Sequence, residues 1–185
     1  SSAVHFKETK DMVGLENRSN DHAEKKYFSN NYSGPYQLGI ARSLNEFKIL
    51  NNVDFEAGVL TPKESKDMII VVPYRDREEH LTSFLEKTPK YFNNQGISYD
   101  ILITELDPEG DWNAGLVVNS VINFIKKTHY KYIYIHHVDV YPIEGDWIFP
   151  EDGEIFTNLG DEGSCLTTVA NFLKVGGYRN SFWGW

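Results

Sequence analysis

The chain has a single cysteine, Cys165, among 185 residues. No intrachain disulfide can form, and a zinc site built on cysteines is excluded. A lone thiol of this kind is expected in the core as a small apolar residue, and the redox compartment stays open. Positive charge is also short, with 18 Lys and Arg against 27 Asp and Glu and a formal net charge of −9. That balance argues against a general nucleic-acid binder, which would show a basic face. A local basic pocket for one phosphate is still allowed. No apolar run approaches the roughly 20 residues needed to span a bilayer. No signal peptide, internal repeat or low-complexity tract is visible. Asn17-Arg18-Ser19 and Asn31-Tyr32-Ser33 are glycosylation sequons, but such triplets arise often by chance.

What is present describes a folded domain. Hydrophobic residues at 41% and aromatics at 14% suit a chain with a sizeable core. Residues 1–30 are rich in Lys, Glu, Asp, Asn and Ser without a period and read as a partly ordered surface arm. Residues 34–66 carry scattered apolar positions that could wrap the domain. The expected division is therefore an N-terminal extension over 1–66 and a domain over 67–185. From residue 67 the pattern sharpens. Asp67–Val72 is a short apolar run, as in a strand covered on both faces. Asp76 and Glu79 make a capping-box-like start to a helix that carries Leu81, Phe84 and Leu85, with Pro89 near its end. Asn93-Asn94-Gln95-Gly96 is a turn and Tyr99–Leu106 a second strand. Asn113–Thr128 is a second helix with Val117, Val121, Phe124 and Ile125 on one face, and Lys131–Val140 a third strand. Leu166–Leu173 reads as a strand and short helix. The alternation predicts an α/β fold with a mostly parallel sheet flanked by helices.

The chemistry gathers where the first strand ends. Pro73 stops the apolar run, Arg75-Asp76-Arg77 follows, and a helix opens at Glu78. Fixed positive charge ahead of a helix N-terminus suits a phosphate, and ligands of open α/β sheets lie beyond the carboxyl ends of the strands. Two arginines suit bidentate phosphate recognition; the alternative is an exposed ion pair with Asp76, Glu78 or Glu79, worth little. The third strand ends in His136-His137-Val138-Asp139. Asp139 could hold a divalent cation that bridges a diphosphate, or could simply cap a turn. His136 and His137 point to opposite faces, so at most one should face the crevice. Trp112 is either a stacking surface for a base or a hydrophobic staple. The aromatic tail from Tyr178 to Trp185 is either a platform for sugars and bases or a clamp on the core.

Taken in order, these segments resemble glycosyltransferase family 7, the β-1,4-galactosyltransferases and their relatives. VPYRDREEHL looks like the family's nucleotide-binding PFRNRxEHL, and DWNAGLVVN is similar to its RFNRAKLLN. IHHVDVYP looks like HDVDLLP, which contains the metal motif, and GSCLTTVANFLKVGGYRNSFWGW follows GGVSALSxxxFxxINGFxNxYWGW. The resemblance covers about residues 67–185. It implies a GT-A fold, which is Rossmann-like, and a metal-dependent, inverting transfer of a hexose-type sugar, galactose first, from a UDP-sugar to a hydroxyl of a glycan or glycoconjugate. Manganese is the implied cofactor, with magnesium as its substitute, and nucleic acid is not a partner. By position, Pro73, Tyr74, Arg75 and Arg77 would contact uridine and phosphates, Trp112 would lie against the donor, and His137, Val138 and Asp139 form the metal motif. Asp139 is the implied metal ligand, and Trp185 matches the tryptophan of a mobile loop.

Three departures qualify that expectation. His137 stands where the family has an aspartate, and an imidazole cannot accept two hydrogen bonds as a carboxylate does. Ala114 stands where the family has an arginine. The WGW at 183–185 ends the sequence, whereas the family's catalytic base and further metal ligands follow that motif. No catalytic base is therefore assigned. Three explanations follow: the N-terminal part of a longer polypeptide, a partner chain that supplies the acidic segment, or a non-catalytic module that binds a nucleotide or glycan. Animal members of the family work in the Golgi lumen; another source would leave the chain cytoplasmic.

Overall fold

The computed structural model describes residues 3–9, 36–43, 46–49, 67–75, 77–106, 114–126, 128–160 and 163–176. The strands are β1 (His5–Glu8), β2 (Tyr36–Ser43), β3 (Glu46–Ile49), β4 (Met68–Tyr74), β5 (Tyr99–Leu106), β6 (Tyr132–Ile135), β7 (Val140–Glu144), β8 (Ile155–Thr157) and β9 (Cys165–Thr168). The helices are α1 (Glu78–Asn94), α2 (Ala114–Ile125) and α3 (Val169–Lys174).

Every residue of β4 is buried, as an apolar run without alternation requires. The pleat then sorts its side chains. Met68, Ile70, Val72 and Tyr74 join one core with Leu81, Phe84 and Phe92 of α1, and with Ile101, Ile103 and Tyr134. Ile69 and Val71 join a second core with Val118, Val121 and Ile125 of α2, and with Leu102, Ile133, Ile135 and Phe172. The two helices thus cover opposite faces of the sheet. Phe84 is fully buried at the centre of the first core. Phe84→Ala is expected to lower stability by about 3–5 kcal/mol, read from the urea midpoint at unchanged slope.

Seven strands form one sheet in the order β3-β2-β5-β4-β6-β9-β8. The pairs β2–β5, β5–β4 and β4–β6 are parallel, while β3, β9 and β8 run antiparallel on the flanks. The parallel centre is the expected one, and the antiparallel borders make the sheet mixed. The chain passes from β4 through α1 to β5 on one side, and then through α2 to β6 on the other. Right-handed crossovers in opposite directions put the two helices on opposite faces. They also leave a switch point between the carboxyl ends of β4 and β6, where such sheets hold ligands.

Several expectations shift. Strands β2 and β3 come from the stretch read as an extension, yet β2 pairs with β5 from Tyr36↔Ile101 to Ala41↔Leu106. Strand β1 pairs antiparallel with β7. Helix α1 continues past Pro89 to Asn94. The proline removes one rung of the helical ladder, but Tyr91 and Phe92 beyond it are buried in the core and hold the last turn in place. The N-cap is Arg77 with no side-chain cap bond, and Asp76 lies outside the described residues. The expected third strand breaks after Ile135: β7 starts at Val140 and leaves the sheet for β1. Cys165 is buried, as expected of a core thiol. Among the described residues, no helix is long and apolar enough to cross a membrane.

Candidate functional site

The site begins where β4 runs out. Pro73 and Tyr74 are still inside the buried strand, and the Tyr74 hydroxyl accepts a hydrogen bond from the Arg77 amide at 2.8 Å. These two residues therefore build the turn that carries the arginines. Arg75 follows in a bend, half-buried. Arg77 caps α1, and its Nη1 donates to Oδ1 of Asp139, 62 residues further on. The two partly exposed side chains form a long-range ion pair.

The opposite wall is the turn between β6 and β7. The His136 amide still reaches the Val71 carbonyl at 3.0 Å, so the chain keeps its place beside β4 for one residue past β6. The His136 side chain is fully buried. It stacks on Tyr134 at 4.9 Å and meets the edges of Phe84 at 5.1 Å and Phe6 at 5.9 Å. Neither ring nitrogen has a hydrogen-bond partner. Burial, reinforced by the neighbouring His137, pushes its pKa down to about 3, so the ring is neutral at pH 7. His137 is half-buried. Burial and the Arg77 charge lower its pKa, and Asp139 opposes them. A neutral imidazole beside a carboxylate is a competent metal ligand. Of the two histidines, only His137 keeps some exposure to solvent. Val138 is buried in the first core, and its contribution to the site is backbone.

Asp139 offers a hard oxygen donor and His137 a borderline nitrogen, a combination suited to Mn²⁺. Among the described residues there is no set of three His, Cys, Asp or Glu side chains that could close a metal site. The two donors therefore fit the cation as part of a ligand set. Trp112 and Trp185 lie outside the described residues, and Ala114 opens α2.

Sequence reasoning missed Thr9 and Trp147. Trp147 packs against Phe92 at 4.8 Å and Tyr134 at 5.0 Å, and its amide donates to Gln95 Oε1 at 3.1 Å. It walls the first core from a loop with no periodic signal. Thr9 follows a short alternation, Val4 and Phe6, which was the available signal for β1.

Fold and site together define an α/β protein that brings a guanidinium and a carboxylate together at the switch point of its sheet. Residues 27–150, more than half of the chain, match the family described as the N-terminal region of glycosyl transferase group 7, and the chain belongs to that family. Among curated relatives, it is 27% identical over 132 residues to the xylosylprotein 4-beta-galactosyltransferase of Caenorhabditis elegans, covering 64% of this chain and 46% of that protein. It is 24% identical over 136 residues to beta-1,4-galactosyltransferase 7 of Drosophila melanogaster, covering 64% and 41%. The chain thus spans somewhat under half the length of these relatives. The catalytic domain of Drosophila β1,4-galactosyltransferase 7 in complex with xylobiose superposes with a TM-score of 0.56 at 25% identity, over 65% of this chain and 56% of that one. A mutant of the same enzyme, in complex with manganese, UDP-Gal and xylobiose, gives a TM-score of 0.56 at 24% identity over the same shares of the two chains. The fold is GT-A.

Proposed function

We propose that this chain is the donor-binding part of a metal-dependent, inverting glycosyltransferase, which transfers galactose from a UDP-sugar to a hydroxyl of a glycan or glycoconjugate. The observation that carries this reading is the meeting of Arg77 and Asp139 at the switch point between β4 and β6. A guanidinium and a carboxylate at the carboxyl ends of adjacent parallel strands can share one ligand that is both anionic and cation-bound, as a metal-complexed diphosphate is. The activities of the relatives and the UDP-Gal of the structural neighbour support galactose as the sugar.

Arg75 and Arg77 would hold the phosphates, since planar guanidiniums match their oxygens. Asp139, with the neutral His137 beside it, would hold the cation. When bound, manganese or magnesium would neutralise charge on the diphosphate leaving group. The acceptor hydroxyl needs a base, which would come from groups outside the described residues, in a further segment or a second chain. The relatives come from animals, where the family works in the Golgi lumen, and we place this chain's activity there.

Calorimetric titration of UDP with Mn²⁺ and then with EDTA tests the reading. Binding that requires the metal is expected. Arg75→Ala and Arg77→Ala should each weaken it by about 1–3 kcal/mol, the worth of a charge-assisted contact. Metal-independent binding would instead favour a nucleotide- or glycan-recognition module. No binding in either condition would overturn the donor site.

A further inference from the structure

The family match begins at residue 27, yet the segment before it reaches the site. Thr9, the residue after β1, is fully buried. Its amide donates to the Asp139 carbonyl at 2.8 Å and its Oγ1 to the Val138 carbonyl at 2.8 Å. One side of one residue thus holds two successive carbonyls of the turn that carries His137 and Asp139. These bonds span 129 residues of sequence in the case of Val138.

The rest of the molecule is shaped to admit β1. The strand pairs with β7 from Phe6↔Pro142 to Glu8↔Val140. At Gly145 (φ +98°) a Cβ would stand 2.2 Å from the Ala3 carbonyl oxygen, so only glycine lets the two backbones approach so closely. At Gly160 (φ +95°) a Cβ would stand 2.7 Å from the Phe6 ring. That ring in turn meets the edge of His136 at the start of the turn. Two left-handed glycines and a buried double hydrogen bond make β1 a fitted strut.

We propose that Thr9 is a positioning residue for the candidate site: through the Val138 and Asp139 carbonyls, it sets the direction of the Asp139 carboxylate toward Arg77 and the crevice. A peptide unit pinned by its carbonyl has little freedom to rotate, so the side chain on the same residue keeps one bearing. Outer hydrogen bonds of this kind hold ligands in register, and their loss typically weakens metal binding about 10–100-fold. The consequence for cation affinity rests on the proposed role of Asp139 as a metal ligand; the aim of the carboxylate does not.

Two measurements on the full chain separate these points. Thr9→Val keeps the volume and the amide but removes the hydroxyl donor, and Thr9→Ser keeps the donor. Mn²⁺ uptake, followed by the electron paramagnetic resonance signal of the free ion, is expected to weaken about 10-fold in T9V and to stay near wild type in T9S. A urea-midpoint double-mutant cycle between Arg77→Ala and Asp139→Ala, run with and without T9V, reads the same positioning without metal. The coupling of that pair should fall at least twofold in T9V. If T9V does not fold, T9A against T9S isolates the hydroxyl in the same assays. A wild-type chain that takes up no Mn²⁺ would overturn the cation reading alone, and the cycle would still decide the role of Thr9. Unchanged coupling in the hydroxyl-deleted variant would overturn the positioning role; unchanged Mn²⁺ affinity with altered coupling would overturn its extension to the cation.

Discussion

Asp139→Ala is expected to abolish the Mn²⁺ dependence of UDP binding, so that titrations with metal and with EDTA become superimposable. The carboxylate is the only charged oxygen donor on the turn between β6 and β7, and His137 alone leaves a cation with one protein ligand there. The substitution also changes Arg77, which loses the carboxylate its Nη1 contacts in the wild type. A guanidinium released from that pair can give more of its fork to a phosphate. In EDTA, the variant should therefore bind UDP at least as well as the wild type, while in Mn²⁺ it should bind less well. Opposite signs in the two conditions distinguish a lost ligand from a damaged fold, which would weaken both. Retained Mn²⁺ dependence in the variant would remove Asp139 from the metal site.

The second large effect is on stability against pH, and it comes from His136. Its pKa in the folded chain is about 3 against an ordinary value of 6.5, because a charged ring would have to sit among Phe6, Phe84 and Tyr134 without a hydrogen bond. A group whose folded pKa is depressed contributes stability that is complete above its unfolded pKa. That contribution is lost as the pH falls from about 6.5 toward 3, because the unfolded chain binds a proton that the folded chain refuses. Between pH 7 and pH 4 the loss is on the order of 3 kcal/mol. His136→Phe keeps a ring in the pocket and removes this component. Every other ionisable group is common to both proteins, so the difference between the two stability–pH curves isolates His136. The wild-type curve should fall more steeply than that of H136F below pH 6.5. Parallel curves would mean that the ring finds a proton acceptor in the folded state.

Much of the centre of the fold was legible because the signals there are local. The unbroken apolar run of β4 announced a strand buried on both faces. Residues 99–106 form β5 with the expected bounds, and the helical spacing of Val121 and Ile125 put them in the core under α2. The same local reading undervalued weak signals. Tyr36, Leu38 and Ile40 alternate along β2, yet a polar neighbourhood hid a strand that completes the parallel centre. The dense apolar run into His136 looked continuous because β-propensity marks each residue without marking where the strand must end.

By itself, then, the sequence determined the α/β order, the two apolar faces of β4, the segments that carry the resemblance to glycosyltransferase family 7, and the residue types of the site. The tertiary structure decided how those types meet. It paired Arg77 with Asp139 across 62 positions, turned His136 into the core and left His137 half-exposed, and brought Thr9 under the Val138 carbonyl. The physical reason is one of range. Periodicity and turn chemistry act over a few residues, whereas a pairing across the sheet depends on which strands become neighbours. That is settled by crossover handedness and by the burial of two faces at once.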